Sequence, residues 1–195
     1  MKNGKKFNIS RKVLYLIIVI LLPIIALLVW MISGFIGNNL DSSLKDKFSI
    51  TEINYKKSSD IDDFVFSFQL TEQTKAKDDS NGSIKYKAVI TKNSNTTPTA
   101  LTLKVVACDY WTHYVSDAQS ATSITPTTSG TTKTGTVSVA YSNKNGWGIT
   151  KKVTDKPDVY VYLSYKFEDE SGKISNKSYI VKYKFDDIFR GSINA

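Results

Sequence analysis

The hydrophobic residues follow two patterns that divide the chain into two parts. Residues 13–32, VLYLIIVILLPIIALLVWMI, form one continuous apolar run, and no charged residue occurs between Lys12 and Asp41. About 20 apolar residues, in a helix that rises about 1.5 Å per residue, cover the roughly 30 Å hydrocarbon core of a bilayer. The run therefore predicts a transmembrane helix over residues 13–37.

Two features separate this run from a cleaved signal peptide and from a helix buried in a soluble protein. A signal peptide has an apolar stretch of about 7–15 residues that ends at an Ala-x-Ala-like site, whereas this run is longer and continues through 33–37, SGFIG. No polar face interrupts it, as one does in a helix packed on a core. The residues expected to anchor the helix in lipid are Val13, Leu14, Ile20, Leu21, Leu22, Leu28 and Trp30.

After a polar segment, the hydrophobic period changes to two, which is typical of strands with one buried face. Residues 38–47, NNLDSSLKDK, predict a juxtamembrane stalk, and residues 48–195 predict a separate domain. The predicted strands cover residues 50–55, 64–70, 84–90, 101–108, 137–141, 159–167 and 179–185. About seven strands without a helical period predict an all-β fold, an Ig-like antiparallel β-sandwich preceded by one transmembrane α-helix.

One long segment lacks this alternation. Residues 116–135 are rich in serine and threonine, and Ile124 is their only large apolar residue. They predict a long loop, which either serves as a mobile connection or binds a ligand.

The segment 83–109, SIKYKAVITKNSNTTPTALTLKVVACD, resembles the strand, asparagine-rich turn and strand of bacterial Ig-like and fibronectin-like modules. The resemblance implies a β-sandwich and a role in binding or spacing, and it carries no catalytic residues. The cysteine pair and intervening tryptophan of antibody domains do not occur, because Cys108 is the only cysteine.

Charge is distributed unevenly along the chain, whose formal net charge is +8. Lys2, Lys5, Lys6, Arg11 and Lys12 are five of the 26 basic residues, which leaves 21 for the remainder against all 18 acidic residues. The basic tail over residues 1–12 predicts a cytoplasmic N-terminus by the positive-inside rule, with the larger domain extracytoplasmic. A nucleic-acid-binding domain would carry a concentrated cationic face, so we expect no nucleic-acid partner.

The segment 107–117, ACDYWTHYVSD, contains the only histidine beside the only cysteine. A membrane-tethered β domain with one cysteine invites comparison with sortases, in which a cysteine thiolate acts with a histidine and an arginine. In that family the histidine precedes the cysteine and the arginine follows it closely. Here His113 follows Cys108, and Arg190 is the only arginine after residue 12.

Strand geometry also separates this pair. In an extended chain Cys108 and His113 would lie about 16 Å apart on opposite faces, and only a tight turn over residues 109–112 could bring them together. We predict a structural Cys108 and no catalytic residue.

Metal and cofactor sites have little support in the sequence. One cysteine and one histidine do not complete a four-ligand zinc site without added carboxylates. The acidic clusters 60–63, 78–79 and 168–170 could bind calcium at one end of the domain, although solvated turn residues are the favoured interpretation. No glycine-rich phosphate loop follows a strand, so we predict no metal and no cofactor.

Strand parity predicts the binding residues. Tyr160 and Tyr162 alternate with the buried residues of their strand and should face outward or against a partner. Four lysines should face outward: Lys85, Lys87, Lys182 and Lys184. If their strands share a sheet, these residues form a tyrosine and lysine surface for an anionic envelope polymer or a protein. The alternative is that the lysines prevent edge-to-edge strand pairing. Tyr110, Trp111 and Tyr114 are further candidates, as core or interface residues.

These observations predict a non-enzymatic, single-pass membrane protein that contacts the bilayer through residues 13–37. It would present its Ig-like domain for binding, or as an accessory subunit of an envelope assembly. A sortase-like cysteine transpeptidase and a subunit of a secretion, conjugation or division complex remain the alternatives.

Overall fold

The computed structural model describes residues 10–77, 79–93, 98–119, 122–144, 149–168 and 171–194. The chain forms two compact units, Met1–Asn39 and Leu40–Ala195, and we call the second unit the β domain. The protein is mostly β, with sheets and one N-terminal apolar helix.

The N-terminal helix, α1, covers Arg11–Phe48. Its segment Arg11–Val29 is long and apolar enough to cross a membrane, and none of this segment is buried inside the protein. A run of exposed leucine, isoleucine and valine side chains needs an apolar environment, which agrees with the predicted anchor.

Two sheets account for most of the β domain. The first has the order β11-β1-β2-β6 and consists of β1 (Phe64–Thr74), β2 (Gly82–Lys92), β6 (Thr131–Val139) and β11 (Phe189–Asn194). The second has the order β10-β9-β3-β4, with β5 also paired to β3. It consists of β3 (Thr99–Asp109), β4 (Tyr114–Val115), β5 (Thr122–Ile124), β9 (Asp158–Glu168) and β10 (Ile174–Tyr183). Pairing is antiparallel except between β1 and β11.

Shorter elements complete the described part of the domain. A separate hairpin pairs β7 (Ser142–Lys144) with β8 (Thr150–Lys152). A 3-10 turn covers Ser58–Asp60, and α2 covers Phe185–Ile188 between β10 and β11.

The main core lies between the two sheets. Alternate residues of β1, such as Phe64, Phe68 and Leu70, pack in one cluster with Val161 and Leu163 of β9. The inward residues are apolar at every second position, because successive side chains of a strand point to opposite faces. The strands predicted over 64–70, 84–90, 101–108 and 159–167 are all present.

A second cluster covers the outer face of the β10-β9-β3 sheet. Leu44 and Phe48, at the end of α1, are 0% and 1% exposed and pack with Val106, Tyr160 and Ile180. Both faces are therefore buried around Val106 of β3 and Tyr160 of β9. The segment predicted as a stalk, 38–47, differs from that expectation: it is helical, and the compact β domain begins at Leu40.

Two other expectations differ from the structure. Residues 50–55 form no strand, and only Tyr55 pairs there, in a single parallel bridge to Ile180. The Ser/Thr-rich segment 116–135 contains β5 and the start of β6, because threonine fits a strand without producing an apolar period.

The parallel strand β11 depends on a close backbone approach. A Cβ atom built on Gly191 would lie 1.7 Å from the Thr71 carbonyl oxygen, beside a register shift between Leu70 and Glu72 of β1. Only glycine allows β11 to pair at this irregularity.

Candidate functional site

An open groove of about 810 Å³ lies on the β domain beside β10. We call it the tyrosine–lysine groove. Its lining residues are Tyr55, Lys56, Lys57, Ser58, Ser59, Asp60, Tyr160, Val181, Lys182 and Tyr183.

One wall of the groove is fixed by backbone pairing to β10. The Lys56 N–H donates to the Ile180 carbonyl oxygen at 3.0 Å, and the Ile180 N–H donates to the Asn54 carbonyl oxygen at 2.8 Å. The chain then turns through Ser58–Asp60 into β1. The segment after α1 is thereby held along the sheet, with its side chains over β10.

Two tyrosines form the apolar part of the groove. Tyr160 is 2% exposed, and its ring centre lies 6.4 Å from that of Tyr55. The Tyr55 hydroxyl donates to Asp41 Oδ1 at 2.7 Å, so the end of α1 also supports this wall. Burial raises the pKa of Tyr160 to about 12, against the opposing effect of Lys182. Both phenols stay neutral at physiological pH.

Three lysines supply the cationic part. Lys182 forms an ion pair with Asp158 at 2.9 Å, and its Nζ lies 5.5 Å from the Tyr160 ring centre. Desolvation alone would lower the pKa of Lys182, but Asp158 and Tyr160 outweigh it and raise that pKa. Lys56 Nζ donates to the Asp60 carbonyl oxygen at 2.9 Å, and Lys57 is exposed.

The groove combines hydrogen-bond donors with an aromatic side chain. Lysine ammonium groups offer mobile donors to carboxylate or phosphate, and tyrosine offers an apolar face with a polar edge.

The structure brings together only part of the predicted tyrosine and lysine surface. Tyr160 and Lys182 both line the groove and are register partners on β9 and β10. Tyr160 does lie on the face of β9 opposite the main core, but it is not exposed to solvent, because Tyr55 and the end of α1 cover that face. Tyr162 is half-buried and stacks on Phe48, with ring centres 5.4 Å apart.

The four lysines do not share one sheet. Lys85 and Lys87 lie on β2 in the first sheet, whereas Lys182 lies on β10 in the second and Lys184 follows that strand. Lys85 forms an ion pair with Glu72 of β1 at 2.8 Å. The expected single surface is therefore not formed.

The aromatic candidates lie around the turn between β3 and β4. Trp111 is 76% exposed and Tyr110 is 37% exposed. Tyr114 is half-buried, and its hydroxyl donates to the Ser138 carbonyl oxygen at 3.2 Å and accepts from the Ala140 N–H at 2.9 Å. Tyr114 thus links the turn to β6, while the other two side chains face outward.

A tight turn does occur where β3 meets β4, but it does not form a reactive pair. Cys108 is 2% exposed, whereas His113 lines a different cavity with Ser43 and Tyr114. Burial, followed by the carboxylates of Asp158 and Asp109, raises the pKa of the Cys108 thiol to about 12. A nucleophilic cysteine needs a lowered pKa.

We expect Cys108 to resist thiol reagents while the protein is folded. At pH 8, a pKa raised from 9.0 to about 12 makes the thiolate about a thousandfold scarcer, and burial blocks access further. Maleimide labelling of native and urea-unfolded protein measures the difference. A Cys108→Ser, Ser129→Cys variant places the thiol at an exposed position and should label rapidly; rapid labelling of native Cys108 would contradict the expectation.

The acidic clusters contain no metal site within the described ranges, where no three His, Cys, Asp or Glu side chains are grouped to hold an ion. Asp63 is not a solvated turn residue as expected. It is 9% exposed, accepts from the Tyr165 hydroxyl at 2.5 Å, and pairs with Lys177 Nζ at 2.8 Å. Of the cluster 78–79, Asp78 lies outside the described residues, as do Asp169 and Glu170 of 168–170.

Sequence reasoning missed Tyr55, Lys56, Lys57 and Tyr183 as members of one groove. Residues 50–55 were expected to form a less regular first strand, in which successive side chains would still point to opposite faces. The bridge of Tyr55 to Ile180 instead brings a short irregular segment beside β10. The adjacent lysines at 56 and 57 were the available signal.

Comparisons with known proteins add little to this geometry. No protein-family model and no curated protein matches the chain. A solved structure, the X-ray structure of Northeast Structural Genomics Consortium target SoR45, is similar over 64% of this chain and 86% of that chain. It shows 14% sequence identity and a TM-score of 0.38. Similarity at this level supports no conclusion about function.

Proposed function

We propose that this protein is a non-enzymatic, single-pass membrane protein whose tyrosine–lysine groove binds an anionic polymer of the cell envelope. In this proposal α1 crosses the cell membrane with its N-terminus in the cytoplasm. The β domain is an Ig-like β-sandwich outside the membrane, and it serves as a binding module or as an accessory subunit of an envelope assembly.

The groove is the observation that carries the proposal. Lys56, Lys57 and Lys182 line it together with Tyr55, which is 47% exposed, above the buried Tyr160. Such a mixture of donors and aromatic faces suits a carbohydrate chain with phosphate or carboxylate groups. A protein partner with an acidic segment would use the same groups.

Further support comes from α1 and from Cys108. The exposed apolar segment Arg11–Val29 follows a tail rich in lysine, the arrangement expected of a helix with a cytoplasmic N-terminus. The buried thiol with a raised pKa argues for the non-enzymatic alternative over a sortase-like one.

Neutralising the groove lysines tests the binding role. In a Lys56→Gln, Lys57→Gln variant of the full chain in detergent, we expect affinity for a phosphate-rich envelope glycopolymer to fall at least about tenfold, because each charged hydrogen bond contributes about 1.5–3 kcal/mol. Isothermal titration measures the affinity.

A matched control removes the same charge elsewhere. Lys75 and Lys166 are exposed and lie outside the groove, so Lys75→Gln, Lys166→Gln should leave the affinity unchanged. An equal loss of affinity in both variants would show that net charge alone attracts the polymer, and it would contradict binding in the groove. If the protein bound an acidic protein and not the glycopolymer, the ligand of the groove would be that protein.

A further inference from the structure

The turn between β3 and β4, residues 110–113, displays two large aromatic side chains; we call it the aromatic turn. Trp111 is 76% exposed and Tyr110 is 37% exposed, and their rings meet edge to face with centres 6.1 Å apart. Burying a tryptophan is strongly favourable, so one presented to solvent in this way points to a partner surface.

The aromatic turn is held firmly. Asp109, 5% exposed, accepts from the Trp111 N–H at 3.0 Å and from the Thr154 N–H at 2.9 Å. The Asn143 side-chain amide donates to the Thr112 carbonyl oxygen at 2.8 Å. The turn is therefore fixed both to β7 and to the segment after β8. Because it is already ordered, little conformational entropy is lost when its aromatic rings bind a partner.

The elements attached to the aromatic turn are basic. Exposed lysines on and beside the β7–β8 hairpin are Lys144, Lys151, Lys152 and Lys156. Two acidic residues offset part of this charge: Asp155 lies 3.9 Å from Lys152, and Asp186 lies 2.7 Å from Lys156. Ile149, in the same hairpin, is 57% exposed. Aromatic and aliphatic side chains beside lysines are typical of surfaces that contact an anionic bilayer.

The polypeptide enters the β domain at the end that carries the aromatic turn. Ser43 shares a cavity with His113 and Tyr114, at the foot of the turn. Lys104 contacts the Phe48 carbonyl oxygen at 2.6 Å, and Lys104 lies about 16 Å before Asp109 along β3. The end of α1 thus runs away from the aromatic turn, and Leu40 lies on the turn side.

Chain length limits how far the start of the β domain can lie from the candidate span. The candidate span ends at Val29 and the β domain begins at Leu40, so the connection reaches at most about 37 Å even when fully extended. Residues 30–36 are themselves mostly apolar. A bilayer that holds the span is therefore within chain reach of the start of the β domain.

We propose that the aromatic turn is a second membrane contact, in which Trp111 and Tyr110 enter the headgroup region of an anionic bilayer. Lys151, the register partner of Asn143 and therefore on the hairpin face toward the turn, contacts lipid phosphates beside them. This inference rests on the membrane anchoring in the proposed function but not on the tyrosine–lysine groove. The contact fixes which end of the β domain faces the membrane.

Depth-dependent fluorescence quenching tests the contact in the full chain. A Trp30→Phe, Trp147→Phe variant leaves Trp111 as the only tryptophan and is reconstituted in phosphatidylcholine–phosphatidylglycerol vesicles with brominated acyl chains. We expect a blue-shifted Trp111 emission and stronger quenching by bromines near the headgroup than by bromines near the bilayer centre. Lys151→Gln should lower the ratio of membrane-inserted to free aromatic turn about fivefold, whereas Lys144→Gln, on the other face of the hairpin, should lower it less.

The control places the tryptophan elsewhere on the same protein. Val65, 61% exposed, is near Asp63 and Tyr165, at the opposite end of β9 from Asp158. Val65→Trp in a chain lacking the other tryptophans should be unquenched. Membrane anchoring is scored separately by resistance to carbonate extraction.

The outcomes are distinct. An anchored protein with an unquenched Trp111 overturns the second contact and leaves the anchoring intact. A protein extracted by carbonate overturns the anchoring, and this inference with it. Unchanged quenching in the Lys151→Gln variant overturns the role given to this lysine.

Discussion

Leu44→Ala should lower the free energy of unfolding of the β domain by about 2–5 kcal/mol, although residue 44 lies in a polar segment next to the membrane helix. Leu44 is 0% exposed and packs with Phe48, Val106 and Tyr160 on the outer face of the second sheet. Its removal leaves a cavity between helix and sheet that rigid strands cannot fill. Urea unfolding of the full chain in detergent, followed by near-ultraviolet circular dichroism, measures the loss.

A neighbour in the same helical segment supplies the control. Ser42 is exposed, and Ser42→Ala is expected to change the free energy of unfolding by less than about 0.5 kcal/mol. If Leu44→Ala were equally neutral, the end of α1 would be a stalk, as its composition first suggested.

The signals for this docking were present in the sequence. Leu40, Leu44 and Phe48 recur at every fourth position, which places them on one face of a helix. The polar residues between them, rather than this spacing, favoured a stalk. On the sheet side, the run Val105–Cys108 is apolar at consecutive positions, and such runs indicate a strand covered on both faces.

Tyr160 shows why strand parity alone does not predict whether a side chain is exposed to solvent. Alternation assigns it correctly to the face opposite Val159 and Val161, which belong to the main core. Parity cannot show whether that second face meets solvent or another element. The covering residues, Tyr55 and Leu44, are distant in sequence, so the burial of Tyr160 is a tertiary effect.

The main strands were predictable, whereas the groove was not. β1, β2, β3 and β9 bury alternate large apolar residues, and this pattern is local. The groove depends on the single bridge between Tyr55 and Ile180, which has no repeating signal. Only the end of β6 was predicted from the sequence, because its first half is rich in threonine and its buried apolar residues begin at Val137.

Asp63→Ala should destabilise the β domain by about 3 kcal/mol or more, because it leaves two polar partners without their acceptor. The Asp63 carboxylate accepts from the Tyr165 hydroxyl at 2.5 Å and from Lys177 Nζ at 2.8 and 3.0 Å. Tyr165 is 2% exposed, and the Lys177 side chain is 29% exposed. Burial, followed by the hydrogen bond to Asp63, raises the pKa of Tyr165, so the phenol remains a donor.

A double-mutant cycle separates the interaction from the loss of either side chain. Lys177→Met alone should also destabilise, since it leaves a largely buried carboxylate without its cation. The double variant Asp63→Ala, Lys177→Met should lose less than the sum of the single variants, by about 1–3 kcal/mol. Lys85→Ala, at the more exposed pair with Glu72, should cost less than about 1 kcal/mol. Additive losses at Asp63 and Lys177 would mean that this pair contributes no more than a surface ion pair, despite its burial.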